Sequence, residues 1–208
     1  QAVFDEDCER LTQMLSGSME SDDAMEVETA FAALLGLYAG LRVGEACALR
    51  KKDVQPALSR VMVRGTVVEK GGLHRQAHTK GKKSRAVSVS EEVVEAIRAH
   101  ERVLLDRGIA RQDKSLLVTV DGSLMRPSKL SQSFGAMCRE RGMRGYTFHS
   151  LRHTHATQLI MAGVDPKTVS ERVGHAAVTT TLKEYGHVLP GRDARAAEVF
   201  SEIARGGG

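Results

Sequence analysis

The stretch FHSLRHTHAT, Phe148 to Thr157, holds three histidines and an arginine: His149, Arg152, His153 and His155. Two chemistries compete for it. His149 and His153 are four residues apart and share a helix face, a spacing that suits a metal ion. Alternatively, an arginine fork and an imidazole on adjacent turns grip a phosphate. His155 lies two residues beyond His153, and positions i and i+2 do not share a face, so it points elsewhere.

Other polar residues with chemical potential are spread along the chain. Arg42 opens GLRVGEACALR, Lys80 sits in HTKGKKSRAV, His175 in VGHAAVTTT and Tyr185 in TLKEYGHV. Two guanidiniums, one lysine, two imidazoles and a phenol form a coherent set. Arginines bind and neutralise phosphate oxygens bidentately. Imidazoles hydrogen-bond the same oxygens or move a proton. A lysine protonates a leaving alkoxide, and a phenol attacks as a covalent nucleophile. No Cys, Glu or Asp stands at a companion spacing to His149 and His153, which weighs against the metal reading.

The elements that must carry these residues follow from pattern. Helices are expected over 5–16, 22–40, about 43–49, 90–108, 127–142 and 149–163. SDDAMEVE starts the second with a cap and first-turn acids, and Gly40 ends it. DPKTVSERVG and TTTLKEY read as short helices, and 192–205 as a last amphipathic one. SRVMVRGTVVE and RAVSVS are rich in β-branched residues and read as strands, joined by the Gly-rich, basic KGGLHRQAHTKGKKSR with a short middle strand. The expected fold is therefore α+β and mostly helical, with a small antiparallel sheet or hairpin near residues 58–90.

Composition bounds the partners. The 208 residues suffice for one sizeable core, mainly aliphatic because there is no Trp. Three well-separated cysteines, Cys8, Cys47 and Cys138, argue against a disulfide framework and for a reducing cytosol. AFAALLGLYAGL is too short to span a bilayer, and no leader pattern opens the chain, so no membrane partner is expected. The net charge of +4 hides an asymmetry: residues 1–30 hold nine acids against Arg10 alone, leaving the remainder a surplus of +12. That surplus suits a polyanion, although an ordinary basic surface gives the same composition.

In this order and with these flanks, the motifs resemble those of the tyrosine recombinases, the phage integrase family, over about residues 8–200. AGLRVGEACAL resembles the motif of the first catalytic arginine, Arg42; TKGKKSRAVS the hairpin of the catalytic lysine, Lys80; HSLRHTHAT the motif supplying His149 and Arg152; VGHAAVTTTLKEYGH the one supplying His175 and the nucleophile Tyr185. The resemblance implies the tyrosine-recombinase catalytic fold and double-stranded DNA as the partner. It implies attack of Tyr185 on a DNA phosphate, with neither metal nor cofactor. Arg42 and Arg152 would stabilise the phosphate charge, His149 relay the tyrosine proton, His175 hydrogen-bond the phosphate, and Lys80 protonate the leaving 5′-oxygen. Glu45 is expected to support the site. Lys82, Lys83 and Arg85 are expected to contact phosphates, and Lys82 or Lys83 would replace Lys80 if the hairpin shifted register.

The expected function is a site-specific recombinase or integrase of a mobile genetic element. A type IB topoisomerase-like enzyme and a non-catalytic DNA-binding regulator are the alternatives, and a chromosome-dimer resolvase is not separable by sequence. The start at Gln1 suggests residues 1–208 are a single catalytic domain without the core-binding domain, binding DNA weakly by itself. In a longer protein, assembly into a tetramer on DNA is expected, in the bacterial cytoplasm at the nucleoid. The amphipathic tail after Pro190–Gly191 docks either on a neighbouring protomer or on its own domain.

Overall fold

The computed structural model describes residues 5–77, 84–108, 115–185 and 192–205. These form α1 (Asp5–Ser18), α2 (Ala24–Ala39), α3 (Val43–Cys47), β1 (Val54–Gln55), β2 (Arg60–Val63), β3 (Gly65–Val68), β4 (His74–Ala77), β5 (Arg85–Ser88), α4 (Glu91–Asp106), α5 (Pro127–Glu140), α6 (Phe148–Met161), α7 (Pro166–Val173), α8 (Val178–Tyr185) and α9 (Arg192–Ala204). The mostly helical α+β expectation holds, and no described helix is long and apolar enough to cross a membrane.

Helix α2 is the axis of the molecule. Its sequence is apolar nearly all round, which marks a helix buried on every side. Asp23 caps its start, Oδ1 accepting from the Met25 amide at 2.7 Å. Residues from Val27 to Leu37 are buried without a break, packed among α1, α4, α5 and α6. Phe31 stacks on the fully buried His100 of α4, centroids 4.1 Å apart, and His100 Nε2 meets the Leu117 carbonyl at 2.7 Å. Buried Glu28 accepts from the Val120 amide at 2.7 Å, so α2 also holds the irregular segment before α5. None of the three cysteines is joined in a disulfide, and burial pushes Cys47 up to about 12.

The expected single strand over SRVMVRGTVVE is two. Buried positions recur at Val61, Val63, Gly65 and Val67, keeping a period of two throughout. The chain nevertheless changes sheet at Arg64: β2 pairs antiparallel with β1 and β5, whereas β3 pairs with β4 alone. Fully buried Asp53 lies beside the break, with Arg50, Arg64 and Arg75 guanidiniums 3.3, 3.4 and 3.9 Å from its carboxylate. Sequence periodicity carries no trace of this switch, and the charge cluster beside it joins residues from three segments.

Helix α3, which follows Arg42, lies directly on β3. A Cβ at Gly44 would sit 2.5 Å from Thr66 Oγ1 and 2.8 Å from the Val67 carbonyl oxygen. The strand backbone cannot move without breaking the β3–β4 pairing. Gly44→Ala is therefore expected to destabilise the fold by about 1–3 kcal/mol, read as a lower urea midpoint at unchanged slope.

Candidate active site

Two helix C-termini face each other at the centre of the site. The last four carbonyls of a helix lack intrahelical partners, and the aligned peptide dipoles make that end negative. At the end of α2, His155 Nδ1 meets the Leu37 carbonyl at 2.8 Å. Arg172 Nη2 donates to the Tyr38 carbonyl at 3.1 Å, and Arg152 Nη1 to the Gly40 carbonyl at 2.7 Å. At the end of α7, Arg85 Nε donates to the Arg172 carbonyl at 2.8 Å, and Arg42 Nη2 to the Gly174 carbonyl at 3.1 Å. Both helices stop at a glycine in the left-handed region, Gly40 at φ 64° and Gly174 at φ 68°. Those glycines also admit their clamps. A Cβ on Gly40 would lie 2.8 Å from the His155 ring, and one on Gly174 2.7 Å from Arg85 Nη1.

Glu45 is the anion that holds the two arginines bound to the end of α7. Its side chain is 4% exposed and accepts from Arg85 through both oxygens, at 2.9 and 2.8 Å. It also accepts from Arg42 Nη1 at 3.1 Å and from the Arg42 amide at 2.9 Å, capping α3. Burial pushes this carboxyl up, but the hydrogen bonds and charge of Arg85, with Arg42 behind them, outweigh it and hold it at about 2.

The expected residues divide as follows. Arg42 is 45% exposed, so its fork is held by Glu45 and α7 while one face meets solvent. Arg152 is 3% exposed on α6, below the exposed His149 of the first turn. The His149 and His153 rings lie 6.5 Å apart and nearly parallel. Among the described residues, no three His, Cys, Asp or Glu side chains are grouped to hold a metal. His175 follows α7, its Nδ1 2.8 Å from Oγ1 of the buried Thr181. Thr181 lies one turn before Tyr185, the last residue of α8. Arg85, expected on phosphate, is 11% exposed and turns its whole fork inward. Lys80, Lys82 and Lys83, and the turn at Pro190–Gly191, lie outside the described residues.

Arg172, Thr181 and the inward role of Arg85 were not legible beforehand. Arg172 has no charge partner at helical spacing, and its contacts reach residues 17 and 134 positions away. His155 does point away from His149 and His153, as its spacing requires, but only the fold shows that it points at α2.

Glu45→Gln keeps the shape and removes the charge that Arg85 is buried against. A loss of about 3–5 kcal/mol is expected, by equilibrium denaturation at neutral pH. Because the folded group titrates below its ordinary 4.5, ionised Glu45 stabilises fully above that value, and the contribution fades as pH falls toward 2. The gap between wild type and Glu45→Gln should accordingly narrow through that acid window.

Residues 5–192 match the family model described as the phage integrase family. The ICEBs1 integrase of Bacillus subtilis is 27% identical over 169 residues, 79% of this chain and 46% of that protein. Tyrosine recombinase XerA of Thermococcus kodakarensis is 34% identical over 153 residues, 71% of this chain and 47% of that protein. The chain spans about half the length of the curated relatives it matches. The Tn1549 transposon integrase, solved in complex with transposon right end DNA, shares the fold at a TM-score of 0.74 and 22% identity, over 97% of this chain and 65% of that one. With the family model covering α1 to α8, the strands and the clamped arginines alike, the chain belongs to the phage integrase family, the tyrosine recombinases.

Proposed function

We propose that this chain is the catalytic domain, over residues 1–208, of a site-specific DNA recombinase from a mobile genetic element. The observation that carries the reading is the placement of Arg42 and Arg152. They come from distant parts of the sequence, yet Arg152 is anchored on the Gly40 carbonyl, two residues before Arg42, and Arg42 on the end of α7 beside His175. Paired guanidiniums fixed by backbone carbonyls are pre-oriented for one phosphodiester, whose charge grows in the transition state. Membership of the family, and relatives named as integrases and recombinases, support the same reading.

The proposed chemistry is a transesterification. The Tyr185 hydroxyl oxygen attacks the scissile phosphorus, and the bond from phosphorus to the 5′-oxygen breaks. The phenolic proton passes to His149, and Lys80 supplies a proton to the departing 5′-oxygen. The product is a 3′-phosphotyrosine and a free 5′-hydroxyl. Attack by a 5′-hydroxyl on that ester reverses the step with the same bonds exchanged, so joining needs no nucleotide hydrolysis and no metal. Arg42 and Arg152 stabilise the non-bridging oxygens, and His175, steadied by Thr181, adds a hydrogen bond. Glu45 and Arg85 position Arg42, so Arg85 serves the phosphate indirectly, while Lys82 and Lys83 contact neighbouring phosphates. The substrate is double-stranded DNA, for which the basic surplus after residue 30 supplies affinity. Exchange between two duplexes requires several protomers, a tetramer in the longer protein, acting at the bacterial nucleoid.

Incubation with nicked suicide duplexes in EDTA is expected to leave a denaturant-resistant protein–DNA adduct, mapped to Tyr185 by mass spectrometry. Tyr185→Phe should form none, and Arg152→Ala should form it roughly 100- to 1,000-fold more slowly. An adduct that forms undiminished in Tyr185→Phe would overturn the mechanism. Absence of any adduct from a longer protein carrying this domain would favour the non-catalytic DNA-binding alternative.

A further inference from the structure

His155 and Arg172 form a link that no assigned role uses. Arg172 Nε points at His155 Nε2 across 2.8 Å. A guanidinium only donates, so Nε2 must be the acceptor, the ring neutral, and its single proton on Nδ1. That proton meets the Leu37 carbonyl at 2.8 Å, an orphan acceptor at the end of α2. The imidazole thus satisfies a donor on one side and an acceptor on the other, a pairing that neither an amide of different reach nor an apolar ring reproduces. Burial, together with the charges of Arg172 and Arg152, holds His155 down at about 4, against the pull of the Leu37 carbonyl.

The link has consequences on both sides. Arg172, half-buried, is seated by His155 and by the Tyr38 carbonyl. Its own carbonyl accepts from Arg85 Nε, and the next two, of Val173 and Gly174, accept from Arg42 at 3.5 and 3.1 Å. The residue after Gly174 is His175. The Arg172 side chain therefore anchors the same short backbone segment that orients Arg42 and from which His175 projects.

We propose that His155, acting through Arg172, is a positioning residue that sets the register between the ends of α2 and α7 and thereby aligns Arg42 and His175 on the scissile phosphate. The role rests on the recombinase reading above. His155 touches neither DNA nor the reacting atoms, and its effect is on the rate of cleavage, not on DNA affinity.

The test combines spectroscopy with single-turnover cleavage of the suicide duplex. In protein labelled with nitrogen-15 histidine, long-range proton–nitrogen correlation should show His155 protonated on Nδ1; protonation on Nε2 would overturn the link. His155→Phe keeps an aromatic ring but removes both nitrogens, and should slow adduct formation about 10- to 100-fold with DNA affinity unchanged. His155→Gln, whose side-chain oxygen can accept from Arg172, should recover part of the loss. Arg172→Lys should slow cleavage to the same extent, and combining it with His155→Phe should add nothing further, because both break one link. If His155→Phe does not fold, the comparison of His155→Gln, Arg172→Lys and their combination decides. Wild-type rates in the single variants, or losses that multiply when combined, would overturn the proposal. The wild-type adduct separates the two readings. If a longer protein carrying this domain also forms none, the recombinase reading falls and takes the positioning role with it; with the adduct, an unimpaired His155→Phe removes the positioning role alone.

Discussion

The end of a helix is an unfinished structure, and this protein places two such ends against each other. The last carbonyls of α2 and α7 accept from one connected set of side chains, each row carrying partial negative charge and lacking amide partners. Left alone they would repel and would carry the cost of buried, unsatisfied acceptors. Arg42, Arg85, Arg152, Arg172 and His155 resolve both problems at once, each donating to the helix end opposite its own segment or to one beside it. The arrangement is reciprocal. The segment after α2 supplies Arg42 to the end of α7, and α7 supplies Arg172 to the end of α2.

A site built from so many guanidiniums needs an anion, and Glu45 provides it. A buried carboxylate bonded to two arginines is unfavourable to desolvate yet more unfavourable to break, because removal of either partner strands the other's charge. Specificity of geometry is the return on that desolvation. Arg85 is bound through three nitrogens to two elements, a rigidity that one long, exposed arginine does not have. Arg42, by contrast, keeps nearly half of its side chain exposed. In the proposed mechanism this is the side available to phosphate, so support and substrate approach the same guanidinium from opposite directions.

Three of the nine acids in the first thirty residues tie separate segments together. Glu26 accepts from Ser18, Ser21 and Arg141, joining α1, α2 and α5, and Glu28 holds the Val120 amide. Asp7 accepts from Tyr146, just before the cap of α6. These three acids serve as ties around α2, whereas Glu9, Glu20, Asp22 and Asp23 are exposed.

Much of this was written locally. The helices follow from apolar periodicity and from caps such as Asp23, Thr147 and Asp165, interactions that span a few residues and so are visible in a linear string. The candidate chemical groups, Arg42, His149, Arg152, His175 and Tyr185, were legible because a reaction constrains residue type and short-range flanks together. What the string did not contain was direction across long separations. It did not show that the strand after Val63 changes sheet, since the period of two runs through the change unbroken. Nor did it show that Arg85 turns to Glu45, forty residues away, or that His155 and Arg172 meet over the end of α2. The sequence by itself determined which groups are present and which helices carry them. Only the tertiary structure decided which arginines face outward and which serve as supports, because an ion pair is set by the distance between side chains after packing and not by their spacing along the chain.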